Sequence, residues 1–338
     1  MARFAPVTRK MVAEEAGVSE TIVSYVLNKN RSVSQEKRLR VETAVKKLGY
    51  RPNTIARMLK SKQSLHILFI ADKIENEHFG KMLAEMNSLL YNQGYLISLA
   101  PNRDNDEFIQ HIISRQLDGV IISSISMQES YINALSEAGI PVVVLMTRNY
   151  NNLSTNIGKI YPGLYDGARE CVKHLYANGC RDIIYIDRMS NSGHFSDFSD
   201  LRLKGYLDEL SALNLPFNSE RIITGCANEE EVMEKITSYI KKDMPVDAIF
   251  ARNDYLAAIA IRVMRELKIN VPNDIKIVGF DNSNISRHII PSLTTVEIDR
   301  KGTAHAAVEL LQDMMEGKPV SSIELKTCLI VRESTLTV

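Results

Sequence analysis

Thr21, Ser24, Tyr25 and Asn28 recur at i, i+3, i+4 and i+7, the spacing that places side chains on one face of a helix. Ile22, Val23, Val26 and Leu27 fall on the opposite side. A solvent face normally carries long charged groups. This one carries short hydrogen-bonding groups and one aromatic ring, a set suited to close approach in a DNA major groove. The plainer alternative is an ordinary polar helix face. A second set of polar residues lies further along: Asp72, Arg148, Arg188, Asn253, Asp254 and Asp281 each follow an apolar run directly, and Arg202 opens the segment Arg-Leu-Lys-Gly-Tyr. Open parallel sheets bind ligands at the carboxyl ends of their strands. The plainer alternative for each residue is a helix N-cap or a strand-end ion pair, and Asp254 is the most open to it.

The first set needs a compact helical scaffold, and the flanking sequence supplies one. Thr8 is a good N-cap for a helix reaching Glu15, with Val12, Ala13 and Ala16 on one face; Gly17 then breaks it and Ser19 starts the next. Two short helices joined by Ala-Gly-Val-Ser match a helix-turn-helix. Ser34 caps a third, whose Val41, Ala44, Val45 and Leu48 form a stripe; Gly49 ends it and Pro52 prevents its continuation. Residues 53–61 read as a short helix capped by Asn53, too short to stand alone in water.

The second set needs strands. From residue 65 apolar runs alternate with helical patterns: strands over 66–71, 95–100, 119–123 and 142–146, then a helix over 163–177 and strands over 183–186, 222–224, 248–251 and 275–280. Such βαβ alternation predicts doubly wound parallel sheets, and two series of this length predict two lobes. Strands over 293–298 and 323–331 flank a last helix over 303–315. The expected organisation is a helix-turn-helix domain over 1–51, a hinge and linker over 52–63, one lobe from 64–163 with 296–322, and another from 164–295 with 323–338.

Composition narrows the partners. Net charge is zero over 338 residues, yet residues 1–62 hold fourteen basic against five acidic side chains, +9, which leaves −9 on the remainder. A basic head on an acidic body points to an anionic partner for the head. The four cysteines, Cys171, Cys180, Cys226 and Cys328, are far apart, and neither they nor the seven histidines show metal-ligand spacing, so no metal is expected. Residues 1–6 lack the apolar core of a signal peptide and no transmembrane-length apolar run occurs, so a cytoplasmic protein without a membrane partner is expected. There is no G-x-x-x-x-G-K-[ST] loop, no G-x-G-x-x-G opening a helix after a strand and no G-x-S-x-G elbow, so no cofactor and no enzyme activity are expected.

The ordered series Val7-Thr8, Val12-Ala13, Ala16-Gly17-Val18-Ser19, Val23-Ser24, Val26-Leu27-Asn28 resembles the start of the LacI/GalR family of bacterial repressors. Leu48-Gly49-Tyr50-Arg51-Pro52-Asn53, followed by Ala56 and Leu59, resembles that family's next block, and Val331-Arg332-Glu333-Ser334-Thr335 its ending. The resemblance implies an operator-binding homodimer, or a higher oligomer, with lobes like those of periplasmic sugar-binding proteins. It implies that Glu20 and Thr21 set operator preference and that Ser24, Asn28 and Ser34 contact the DNA backbone. Thr8, Ser19, Tyr25, Asn53, Ala56 and Arg57 complete the expected DNA-binding set, with Leu59 as an apolar wedge in the minor groove. It implies an effector pocket around Arg202, Asn253, Asp254 and Asp281, with Phe79 as an aromatic lining; paired charged and amide groups suit vicinal sugar hydroxyls. Asp72, Arg148 and Arg188 join that expected pocket from their strand-end positions.

The sequence also departs from the family. Many members have arginine where Tyr25 stands, and tyrosine cannot make arginine's bidentate guanine contact. Gly163-Leu164 replaces an Asp-Asn pair, and the segment 188–201 is longer than usual. Relatives commonly have small or uncharged residues where Arg188 and Arg252 stand. Several guanidiniums around one site call for an anion, so the expected effector is a sugar or an acidic derivative such as a sugar phosphate or uronate. The bland alternative is that those arginines pair with the protein's own carboxylates. Control by a protein corepressor and a sugar-processing α/β enzyme are the other readings weighed.

Overall fold

The computed structural model describes residues 7–28, 31–50, 63–242 and 244–336. Chain contacts divide it into two units, Met1–Ser64 and Leu65–Val338.

In the first unit α1 (Arg9–Ala16), α2 (Glu20–Asn28) and α3 (Gln35–Leu48) close around Val12, Ala13, Ala16, Val23, Val26, Val41, Ala44 and Tyr50. Thr8 caps α1, its Oγ1 accepting from the Met11 amide at 3.3 Å. Gly17 ends α1 at φ 61°, a left-handed conformation that glycine takes without a Cβ clash, and this lets α2 begin three residues later. Ser34 occupies the N-cap position of α3, but its side chain makes no capping bond, contrary to the sequence expectation.

The second unit holds two six-stranded sheets. The first has the order β11-β5-β4-β3-β1-β2, built from β1 (His66–Ala71), β2 (Leu96–Pro101), β3 (Gly119–Ser123), β4 (Val142–Leu145), β5 (Gly158–Tyr161) and β11 (Ser322–Glu324). All its pairings are parallel. The second has the order β12-β10-β9-β8-β6-β7, from β6 (Ile183–Ile186), β7 (Ile222–Ile223), β8 (Ala248–Ala251), β9 (Lys276–Phe280), β10 (Thr294–Ile298) and β12 (Thr327–Ile330). Only β12 runs antiparallel to its neighbour.

Helices cover both faces of each sheet, as the near-continuous apolar strands require. In the first lobe Ile67 and Phe69 pack with α4 (Glu77–Tyr91) and α12 (Arg300–Met315). Ile70 points the other way, toward α5 (Asp106–Ile113) and α6 (Glu129–Glu137). The second lobe carries α7 (Leu164–Ala177), α8 (Leu201–Ala212), α9 (Glu229–Lys241), α10 (Asp254–Glu266) and the short α11 (Ile285–His288).

The chain crosses between the lobes three times: after β5, after β10 and between β11 and β12. At the first crossing Gly163 has φ 77°, and a Cβ there would lie 2.8 Å from the Leu325 carbonyl and 3.0 Å from the Thr327 amide. Glycine therefore lets the first and third crossing segments lie against each other. The single strand expected over 323–331 is two strands in different sheets. The lobe boundaries accordingly move a few residues from those expected at 296 and 323. β10 stays paired in the second sheet through Ile298, and Asp299 caps α12 by accepting from the Gly302 amide at 2.7 Å. Among the described residues no helix is long and apolar enough to cross a membrane.

Candidate functional site

Two places gather the polar residues singled out above. On α2, Val23 and Val26 are buried, while Glu20, Thr21 and Asn28 are exposed and Ser24 and Tyr25 half-buried. The apolar side thus fixes the helix and the polar side is presented outward. Asn28 donates from Nδ2 to Ser24 Oγ at 3.1 Å, and the Arg31 guanidinium stands 5.1 Å from the centre of the Tyr25 ring. Ser19 Oγ accepts from the Ile22 amide at 3.4 Å. Thr8 and Ser19 hydroxyls are therefore cap acceptors that keep their own proton to donate. Ser34 is exposed with its hydroxyl uncommitted to the helix. Asn53, Ala56, Arg57 and Leu59 lie outside the described residues.

Between the lobes of the second unit is a cavity of about 550 Å³, a volume typical of small-molecule sites. Strand ends build it. Asp72 follows β1, Arg188 follows β6, Arg252 to Asp254 follow β8, Asp281 follows β9, and Arg202 stands in the first turn of α8; all line the cavity, as do Phe79 and Asn253.

Each cationic strand-end group already has a partner. Arg202 Nη2 donates to Asp281 Oδ1 at 2.7 Å, with its guanidinium 4.4 Å from the centre of the Phe280 ring. Arg252 Nη1 meets Asp200 Oδ2 at 2.6 Å and Ser196 Oγ at 2.9 Å. Arg188 Nη1 reaches Asp72 Oδ2 at 3.2 Å. Asp72 also accepts from Ser124 Oγ, Ser126 Oγ and the Ile125 amide at 2.5, 2.7 and 2.9 Å. Burial works to raise the Asp72 carboxyl, but Arg188 and these donors outweigh it and hold it below the usual carboxylate range.

Asp281 is turned to φ 98°, a conformation costly for a residue with a Cβ. That turn lets its carboxylate face Arg202 while its carbonyl accepts from Arg300. Arg300 Nε in turn donates to His78 Nδ1 at 3.2 Å. Burial pushes His78 down to about 4, so the ring is neutral with its proton on Nε2, which has no partner among the described residues. Asn253 lines the cavity and caps α10, its Oδ1 accepting from the Leu256 amide at 2.9 Å, while its amide nitrogen has no partner among the described residues.

Two expected pocket residues are placed differently. Arg148 does not line the cavity: its Nη2 donates to the Met127 carbonyl at 2.7 Å and it stacks on Tyr150. Asp254 lines the cavity but both its oxygens are taken by its own lobe, Oδ1 by Thr295 and Oδ2 by the Ser283 amide and hydroxyl. Burial, with Asp281 nearby, raises its carboxyl to about 7. Arg252 lines the cavity, where its strand-end position places it, and His78 lines it without having been expected there. A lone histidine carries no spacing signal, although its place beside Phe79 on the same helix was visible.

Residues 8–53 match the model of bacterial regulatory proteins of the lacI family, and residues 172–335 match that of a periplasmic binding protein-like domain. The HTH-type transcriptional repressor PurR of Histophilus somni (strain 2336) is 30% identical over 338 residues, covering 98% of this chain and 99% of the relative. The lac repressor dimer solved with operator and the anti-inducer ONPF superposes with a TM-score of 0.84 at 26% identity, covering 98% of this chain and 100% of that one. A periplasmic binding protein/LacI transcriptional regulator from Alkaliphilus metalliredigens QYMF, solved with D-xylulofuranose, gives a TM-score of 0.67 at 28% identity over 81% of this chain and all of that one. These relatives are repressors and regulators, not enzymes. The polar face of α2 and the cavity between paired parallel sheets therefore sit in a chain that belongs to the LacI family of bacterial regulatory proteins, and it is a DNA-binding transcriptional repressor.

Proposed function

We propose that this repressor holds operator DNA as a homodimer and that a neutral, hydroxyl-rich small molecule of the sugar class, bound between its lobes, sets that hold. The observation that carries the ligand class is the pairing inside the cavity. Arg202, Arg252 and Arg188 each meet a carboxylate of the protein. The arginines that suggested an acidic effector each face a carboxylate of the protein, which supports a neutral ligand over an acidic one. What the cavity offers instead is the Asn253 amide, the His78 Nε2–H, the second carboxylate oxygen of Asp281 and the Phe79 ring. Donors and acceptors beside an aromatic ring suit a sugar ring, which has hydroxyls around its edge and C–H groups on its face. A solved relative that carries D-xylulofuranose is consistent with this reading. In the lac repressor structure a dimer engages operator, which is consistent with two recognition helices reading two half-sites.

The test is calorimetric titration of matched sugars, sugar phosphates and uronates against the operator-bound protein. Neutral members are expected to bind and to shift operator affinity. Binding of acidic members alone would overturn the ligand class and leave the repressor assignment standing.

A further inference from the structure

Opposite charges from different lobes meet over the cavity. Asp72 follows β1 of the first lobe and Arg188 follows β6 of the second; both side chains retain 13% exposure. Asp72 is the fixed half, since three donors of its own lobe hold it as an anion. Arg188 is the loosely held half. Its one contact to Asp72 is long, and its other N–H groups have no partner among the described residues. Burial lowers its pKa against the pull of Asp72, and repulsion from nearby Arg252 adds to the lowering.

We propose that Asp72 and Arg188 form a clasp that holds the lobes closed over the cavity and selects a neutral ligand over an acidic one. This rests on the cavity being the effector site. A neutral oxygen can accept the spare N–H groups of Arg188 while the clasp stays made. An anion at the same place faces the fixed Asp72 carboxylate and competes with it for one guanidinium, so it binds only by opening the clasp.

Other hydrogen bonds across the lobes report on closure. The Asn149 amide donates to the Ser199 carbonyl at 2.8 Å on one side of the cleft, and the Asn284 amide to Glu77 Oε2 at 3.1 Å on the other. Hydrogen exchange at these two amides, measured on the full chain without ligand, reads the clasp directly. Asp72→Asn and Arg188→Gln are each expected to speed exchange at both amides by about tenfold, and Arg188→Lys to restore most of the protection. Asn284 is the discriminating site, because it lies away from the Arg188 loop and a merely local loosening would leave it protected. In the second arm, D-glucuronate and inorganic phosphate are titrated by calorimetry. Asp72→Asn, which frees Arg188, is expected to bind them about tenfold or more tightly than the unaltered chain. Unchanged exchange in both Asp72→Asn and Arg188→Gln would overturn the clasp. Equal anion affinity with and without Asp72 would overturn the selectivity. If Arg188→Gln does not unfold cooperatively, Asp72→Asn carries both arms. The exchange measurement needs no effector, so the clasp and the effector site fail separately.

Discussion

Arg202 and Asp281, 79 residues apart, meet at 2.7 Å on the floor of the interlobe cavity, where each keeps about a tenth of its side-chain surface exposed. Replacing either alone has a cost, because removing one strands a largely desolvated charge on the other. The pair also faces the ligand space, so it links the lobe's stability to the site's chemistry.

Arg202→Ala is therefore expected to weaken effector binding by about 2–5 kcal/mol while leaving ligand-free operator binding intact. Calorimetry with the effector and fluorescence anisotropy with labelled operator separate the two. Loss of operator binding together with effector binding would mean that the pair serves folding only.

Asp200 and Arg252 form a second buried pair at 2.6 Å, and Asp200 is fully inaccessible. Asp200 also caps α8, its Oδ1 accepting from the Arg202 and Leu203 amides. Asp200→Ala is expected to lower the unfolding free energy by about 3–5 kcal/mol, from a lost cap and a stranded guanidinium. Adding Arg252→Met is expected to recover part of that loss. Urea unfolding of both variants gives the comparison.

Two cleft residues tilt stability with pH in opposite directions. Asp254, raised to about 7 from an ordinary 3.8, binds its proton more tightly when folded. Its contribution is complete below 3.8 and disappears as pH rises through 7. His78, lowered to about 4 from 6.5, contributes fully above 6.5 and loses that contribution as pH falls toward 4. Between these limits, relative to the unaltered chain, Asp254→Asn should make stability rise more with pH and His78→Gln should make it fall more. One group can change the slope by at most about 1.4 kcal/mol per pH unit. Parallel stability–pH curves for all three proteins would contradict the assignment.

Tyr25 stands where many relatives carry arginine. Tyr25→Arg is expected to move base preference toward guanine at one half-site position, with discrimination of about 1–3 kcal/mol. Selection from a random DNA library compares the enriched sites. The same motif from both proteins would place the Tyr25 side chain on the DNA backbone alone.

Periodicity made most of the fold legible. Strands such as Gly119–Ser123 and Ile183–Ile186 are continuous apolar runs because helices cover both their faces. β5 was not foreseen, since Gly-Lys-Ile-Tyr is only alternately buried and shows no such run. The break between β11 and β12 falls at Leu325-Lys326, where neither proline nor glycine marks it. In the site, Asp72, Asn253 and Asp281 were legible because strand ends announce them. Arg148 ends a run in the same way, yet turns to the Met127 carbonyl. The pairings that neutralise the arginines join residues such as Asp72 and Arg188, 116 positions apart, and no local pattern records them.

The threefold crossing has a consequence for how the molecule is made. Helix α12 supplies Ala304, Ala307, Val308, Leu310 and Leu311 to the face of the first sheet that carries Ile67, Phe69, Ile121 and Val143. A ribosome delivers that sheet's first five strands and α4 early, and α12 only after most of the second lobe has been synthesised. Throughout that interval α4 shields only part of that face, and the part that α12 later covers is open to water, the kind of surface that holding chaperones engage and that aggregates when they do not.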